Sequence, residues 1–122
     1  MSQLNLGDSL ILDTDYSTSE VKTGATWIDG KPIYTLTKQC NYASAINTDK
    51  TYAHGIAHID QIIKIEGYTT DNTPNFYNVN FAANGSYAIA YATRASIGVN
   101  TSYSGLLNRA AYVTIYYTKT TD

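Results

Sequence analysis

The sequence predicts an all-β chain folded as an antiparallel β-sandwich of jelly-roll-like form, and three observations carry that reading. Twelve Tyr and seventeen Thr stand against two Glu, one Met and seven Leu. Tyr, Thr, Val and Ile suit a pleated, half-buried surface, whereas the straight-chain helix formers are scarce. Apolar residues alternate with period two in several short runs. Clusters of Gly, Asn, Asp and Pro separate those runs, so about six to eight short strands are expected. With 122 residues the chain has the size of one domain with one core.

From the N-terminus, Met1 to Asp8 carries Leu4 and Leu6 with little to pack against locally and reads as the tail of an upstream region. Ser9 to Leu12 is a candidate first strand, and Asp13 to Lys22 is polar and turn-like. Ala25 to Ile28 and Ile33 to Thr37 are strand candidates joined by Asp29-Gly30-Lys31-Pro32, in which Asp-Gly supplies the positive-φ turn. Between Gln39 and Asp60 the period is broken by Asn41, Ser44, Asn47, Asp49 and Gly55, which leaves a loop with a short strand or helical turn near Tyr52 or Ile56. Gln61 to Thr69 alternates as a strand, with Ile63 and Ile65 on one face and Ile62, Lys64 and Glu66 on the other. Phe76 to Phe81 is the next strand, and Asn84-Gly85 turns it into Ser86 to Thr93. There Tyr87, Ile89 and Tyr91 alternate with Ala88, Ala90 and Ala92, so the small side chains mark a face that something approaches closely. Ile97 and Val99 mark a short strand, Asn100 to Asn108 a loop, and Ala110 to Lys119 the last strand, with Val113, Ile115 and Tyr117 inward and Tyr112, Thr114 and Tyr116 outward.

Charge and composition exclude several functions. Eight Lys plus Arg against ten Asp plus Glu leave a net charge of −2, so there is no basic stripe to neutralise nucleic-acid phosphates. The longest apolar runs, such as Leu10-Ile11-Leu12 and Ile62-Ile63, fall far short of the roughly 20 residues that span a bilayer. No membrane insertion and no cofactor are therefore expected. The single Cys40 forms no internal disulfide.

Catalytic and metal constellations are weak. His54 and His58 lie four apart, a metal-ligand spacing on a helix, but Gly55 weakens the helix and only Asp60 is a nearby third ligand. Asp13, Asp15 and Glu20 begin like a calcium loop without its Gly and closing Glu, and read better as a solvated acidic loop. A G-x-S-x-G elbow and a Gly-rich phosphate cradle are both missing. Glu66 with Asp60 or Asp71 is the conceivable acid pair for glycoside hydrolysis, yet no spacing brings them together. The chain is accordingly read as a non-enzyme.

What remains is a surplus of Tyr, Asn, Thr and Ser. Tyrosine rings stack on the apolar side of a pyranose, while amides and hydroxyls hydrogen-bond its hydroxyl groups. The same residues also suit cross-strand pairs or a subunit contact. The loops Gly67 to Phe76 and Asn100 to Arg109 concentrate such groups outside any core periodicity, which nominates Tyr68, Asp71, Asn72, Asn75, Tyr103, Asn108 and Arg109 as ligand-binding residues.

Three stretches carry a resemblance: Tyr16 to Gly24 running into Thr26-Trp27-Ile28-Asp29-Gly30-Lys31-Pro32-Ile33-Tyr34, then Ile59 to Gly67, and the terminal Ala111 to Asp122. With Trp-Ile-Asp-Gly-Lys-Pro-Ile-Tyr as its most specific part, the chain from about Tyr16 onward resembles the C-terminal domain of bacteriophage tail-fibre and minor tail structural proteins, prophage copies included. The resemblance implies residues 1–12 as a join to an upstream fibre and residues 13–122 as a receptor-binding head. It further implies a homotrimer in the virion, at a tail fibre or baseplate, that recognises a bacterial surface polysaccharide; the rival is a purely structural cap that trimerises the fibre. Trimerisation would bury the Ala-rich face and the Leu4 and Leu6 segment, and three weak sites on one tip would gain avidity.

Overall fold

The computed structural model describes residues 16–71 and 75–120, so the candidate strand at Ser9 to Leu12 and the acidic pair Asp13 and Asp15 lie outside the described residues. Nine strands are described: β1 (Val21–Thr26), β2 (Pro32–Asn41), β3 (Lys50–Ala53), β4 (Ile59–Thr70), β5 (Phe76–Asn78), β6 (Phe81–Ala83), β7 (Ser86–Ala92), β8 (Ser96–Thr101) and β9 (Ala110–Lys119). They form two antiparallel sheets, ordered β1-β2-β9-β4-β5 and β3-β8-β7-β6, and a 3-10 turn lies at Ser104–Leu106. This is the antiparallel sandwich that composition and alternation predict.

The core lies between the sheets. Val113, Ile115 and Tyr117 of central strand β9 are fully buried, opposite Ile97 and Val99 of β8 and Ala88 and Ala90 of β7. In-register pairing sets Ile115 beside Leu36 and Tyr117 beside Tyr34, whose rings stack at 5.9 Å. β9 therefore reads in space as it reads in sequence, because a strand paired on both edges keeps strict alternation.

Elsewhere the structure departs from simple alternation. The first hairpin forms, but its outgoing strand is Val21–Thr26, and Trp27 and Ile28 belong to the turn, where Ile28 is 90% exposed. Gly24, at φ +85°, interrupts the β1–β2 register, and the Trp27 and Gly30 amides close the turn on the Lys31 and Trp27 carbonyls. β2 runs on to Asn41, beyond the expected end at Thr37, because β9 supplies partners as far as Ala110 opposite Asn41. β3, in a region without period, exists because Lys50–Ala53 pairs with Ser96 to Val99 of β8.

Phe76 to Phe81 is two strands rather than one. Phe76–Asn78 pairs with β4, the chain bends at the fully buried Val79, and Phe81–Ala83 joins the other sheet. Asparagine side chains hold the bend: Asn78 Oδ1 accepts the Asn80 amide at 2.8 Å, and Asn80 Oδ1 accepts the Ala90 amide at 2.9 Å. The turn that follows has Asn84 at φ +52° and Gly85 at φ +80°, the two positive values a type I′ hairpin needs.

The faces of β4 also differ from the expectation. A bulge opposite Tyr116 and Tyr117 lets both Ile62 and Ile65 pack on the core while Ile63 turns to the outer face, where it lines a depression with Trp27 and Tyr116. One inserted residue reverses the inward set, and a second register shift between the Tyr117–Ile62 and Lys119–Ile59 pairs reverses it again, so that Ile59 is also buried in the core. Ala88 and Ala90 are 2% and 6% exposed and face the opposite sheet, so the Ala-rich face is buried by this chain's own core rather than by neighbouring chains.

Candidate functional site

Alternation on β4 and β9 brings Glu66, Tyr68, Tyr112 and Thr114 to the outer face of the five-stranded sheet. Register sets Tyr112 opposite Tyr68 and Thr114 opposite Glu66, while Tyr68 pairs on its other side with Asn78 of β5. The Tyr68 and Tyr112 rings stack at 5.4 Å, and Phe76 lies 6.0 Å from Tyr68. All three rings remain open to solvent, at 46% for Tyr68, 38% for Tyr112 and 71% for Phe76. Large aromatics exposed side by side on rigid strands are unusual on a surface that only faces water.

Glu66, Tyr68, Tyr112 and Thr114 line a groove of about 480 Å³ together with Tyr16, Thr37, Gly67 and Asn78, and Phe76 stands beside it against Tyr68. Its floor is rigid for identifiable reasons. The Thr37 and Thr114 hydroxyls meet at 2.7 Å across β2 and β9. Gly67 has φ +154°, and a side chain there would run into the Tyr112 carbonyl, so only glycine lets β4 approach β9 this closely. Glu66 carries the charge: its Oε2 accepts the Tyr116 phenol at 2.8 Å, and its Oε1 lies 3.3 Å from Lys64 Nζ. Burial first, then hydrogen bonding with Tyr16 and Glu66, pushes the Tyr116 phenol well above the ordinary range. Tyr116 therefore acts as a neutral donor that orients the carboxylate.

Of the residues nominated from sequence, Tyr68 lines this groove. Asp71 and Tyr103 come together elsewhere, where the buried Asp71 carboxylate accepts the Tyr77 phenol at 2.9 Å and the Tyr103 phenol at 3.3 Å. The Tyr77 ring stacks on Phe81 at 5.2 Å and meets Tyr103 edge-on at 6.0 Å. The hydrogen bond to Asp71 is the main cause that raises the Tyr77 phenol, and Asn75 also reaches it. Tyr77, Phe81 and Tyr103 line a separate depression of about 260 Å³ where the chain crosses between sheets. Asn108, at φ +63°, is a turn residue whose amide donates to the Ala43 carbonyl, and the half-buried Arg109 uses its backbone to pair with Leu106 and Tyr42. Neither lines the groove, and Asn72 lies outside the described residues.

Tyr112, Phe76, Asn78 and Thr37 were not nominated. Outward alternation in the last strand pointed to Tyr112, but nothing local distinguished it from an ordinary cross-strand pair; its neighbour Tyr68 is more than forty residues away in sequence and meets it only through sheet register.

The other chemical constellations come apart. His54 is buried with both ring nitrogens on backbone: Nδ1 accepts the Ile56 amide at 3.1 Å, which leaves Nε2 to donate to the Thr93 carbonyl at 3.0 Å. His58, at φ +64°, caps the chain near Thr120 through its carbonyl. Among the described residues no three His, Cys, Asp or Glu cluster around a common point. Asp60 is bound to Lys31 at 2.7 Å and lies six residues along β4 from Glu66, about 20 Å at strand rise, while Asp71 lies five residues the other way, about 17 Å. Both separations exceed what paired glycosidase carboxylates span.

Chemically, the groove offers exposed ring faces, a carboxylate, an amide and hydroxyls on an unyielding sheet. No protein-family model matches the chain, and no curated protein or solved structure matches it either.

Proposed function

We propose that this chain is a host-attachment module of the phage tail-fibre type, and that it holds a bacterial surface glycan in the groove on the outer face of the five-stranded sheet. The observation that carries the reading is the row of solvent-open rings at Tyr112, Tyr68 and Phe76, set beside Glu66 and Asn78. Ring faces cover the C–H surface of a sugar, and polar groups at fixed positions select its hydroxyls. Sites built on strands keep their geometry without ordering cost, which matters for a weak ligand. The resemblance at Trp27 to Tyr34 supports the setting, a fibre tip whose several copies multiply a modest affinity.

A second reading draws on the same exposed rings as a contact between subunits, with the domain capping a trimeric fibre. Glycan-array binding by the isolated chain, together with light scattering, separates the two. The attachment reading expects polysaccharide binding that falls at least tenfold in Tyr68→Ala and Tyr112→Ala, with the oligomeric state unchanged. The capping reading expects no glycan binding and dissociation of the oligomer by the same substitutions.

A further inference from the structure

Resting on the glycan reading, we infer that the groove selects saccharides bearing free amino groups, such as N-deacetylated hexosamine chains, over N-acetylated or acidic ones. Among the described residues lining the groove, Glu66 is the one with a carboxyl side chain, and no Lys, Arg or His lines it. An acidic sugar entering would find no cation in the lining, the nearby Lys64 being engaged with Glu66, and would lie against a like charge, which costs free energy as water is displaced. An ammonium finds the opposite.

The protein itself shows where such a cation sits. Lys64 Nζ rests 5.2 Å from the centre of the Tyr116 ring and 3.3 Å from Glu66 Oε1, so the space between this carboxylate and a tyrosine face already accepts an ammonium. Lys64 reaches Glu66 from outside the groove, where it lines the depression with Ile63 and Tyr116, and its side chain is 60% exposed. An exposed ion pair of that kind holds weakly, and a carboxylate has lone pairs for more than one donor. On the groove side, Glu66 is flanked by the rings of Tyr16, Tyr68 and Tyr112. A sugar amine placed there gains the carboxylate and a ring face together, the combination by which aromatic sites recognise cations. Acetylation removes the charge and adds bulk at the same position, and so loses both contacts.

The test uses the full chain and three oligosaccharides of equal length, made of glucosamine, N-acetylglucosamine or galacturonic acid, titrated by calorimetry at a pH where the amine is protonated. The glucosamine oligomer is expected to bind about tenfold more tightly than the acetylated one, with an advantage that shrinks as salt rises. Binding of the uronic oligomer is expected to be undetectable. Glu66→Gln is expected to collapse the ratio between the first two ligands, and Lys64→Met, which removes the internal competitor, to widen it. Equal binding of the free and acetylated oligomers, or a ratio unmoved by Glu66→Gln, overturns the amine preference and leaves the glycan reading standing. So does failure of all three oligomers when other sugars on an array bind. If no saccharide binds at all, both fall together.

Discussion

The phenol of Tyr117 donates to Glu20 Oε2 at 2.7 Å, although 97 residues separate the two in the chain. Tyr117 is fully buried in the last strand, and Glu20 also takes Lys119 Nζ at 3.0 and 3.1 Å. This contact clamps the segment that leads into β1 onto the centre of the five-stranded sheet. Tyr117→Phe keeps the ring stack on Tyr34 and removes only the charged hydrogen bond, so it is expected to cost about 1.5–3 kcal/mol in chemical denaturation. Glu20→Gln should cost less, because an amide oxygen still accepts from the phenol.

Alkaline pH should unfold the protein through its buried acids. Burial pushes the Cys40 thiol up to about 11 and Tyr42 up to about 12. Tyr117 is raised further by burial and by Glu20, and Tyr116 by burial, Tyr16 and Glu66. Each of these groups holds its proton more tightly folded than unfolded, so the unfolded chain loses protons first as pH rises. Their contribution to stability is complete below the ordinary thiol value of 9.0 and declines above it, more steeply past the ordinary phenol value of 10.0. Unfolding free energies measured across that range should be level up to about pH 9 and then fall; a level profile to about pH 11 contradicts the assignment.

Gly67 tolerates no side chain. Gly67→Ala forces a Cβ into the Tyr112 carbonyl at a positive φ and must part β4 from β9, the two central strands under the groove. A loss of more than about 2 kcal/mol is expected. Gly85→Ala, in an open turn with nothing near its Cβ, should cost only about 1 kcal/mol, which serves as the reference.

Tyr68 and Tyr103 should behave differently on truncation. Tyr68 is half exposed, so Tyr68→Ala is expected to change stability by under about 1 kcal/mol while removing ligand affinity. Tyr103 packs against the core and shares Asp71 with Tyr77, so Tyr103→Ala should cost about 3–4 kcal/mol and leave the groove intact. Thermal melts of the two variants beside glycan binding decide it; equal destabilisation would mean that Tyr68 is a packing residue.

Cys40 should be inert while the protein is folded. Its side chain is fully buried and its thiol is held protonated, so a thiol reagent at neutral pH should label it only as fast as the chain opens. Labelling at the rate of a free peptide thiol would show that this end of β2 is not closed.

Much of the sandwich was legible along the chain. β9, the Asn84-Gly85 turn and the inward Val113, Ile115 and Tyr117 follow from period and turn chemistry, because a central strand must bury every second residue. β3 was legible only as one alternative, a short strand or helical turn near Tyr52 or Ile56; the strand at Lys50–Ala53 is decided by its pairing with β8 rather than by its own composition. The bulge that turns Ile63 outward was hidden: alternation assigns faces only while register is unbroken, and register depends on the partner strand. Of the nominated ligand-binding residues, Tyr68 reached the groove, and the rest were spent on turns or on the Asp71 cluster where they are described.

The order of residues therefore determined fold class, the central strand and a surplus of tyrosine too rich for a core alone, since those depend on local preference and period. Folding in three dimensions decided which tyrosines meet and on what. Tyr68 and Tyr103 are both loop candidates by sequence, yet register stacks Tyr68 on the distant Tyr112 at 5.4 Å in the open, whereas Tyr103 is drawn onto the buried Asp71. That difference comes from which strands lie side by side, and only long-range pairing sets it.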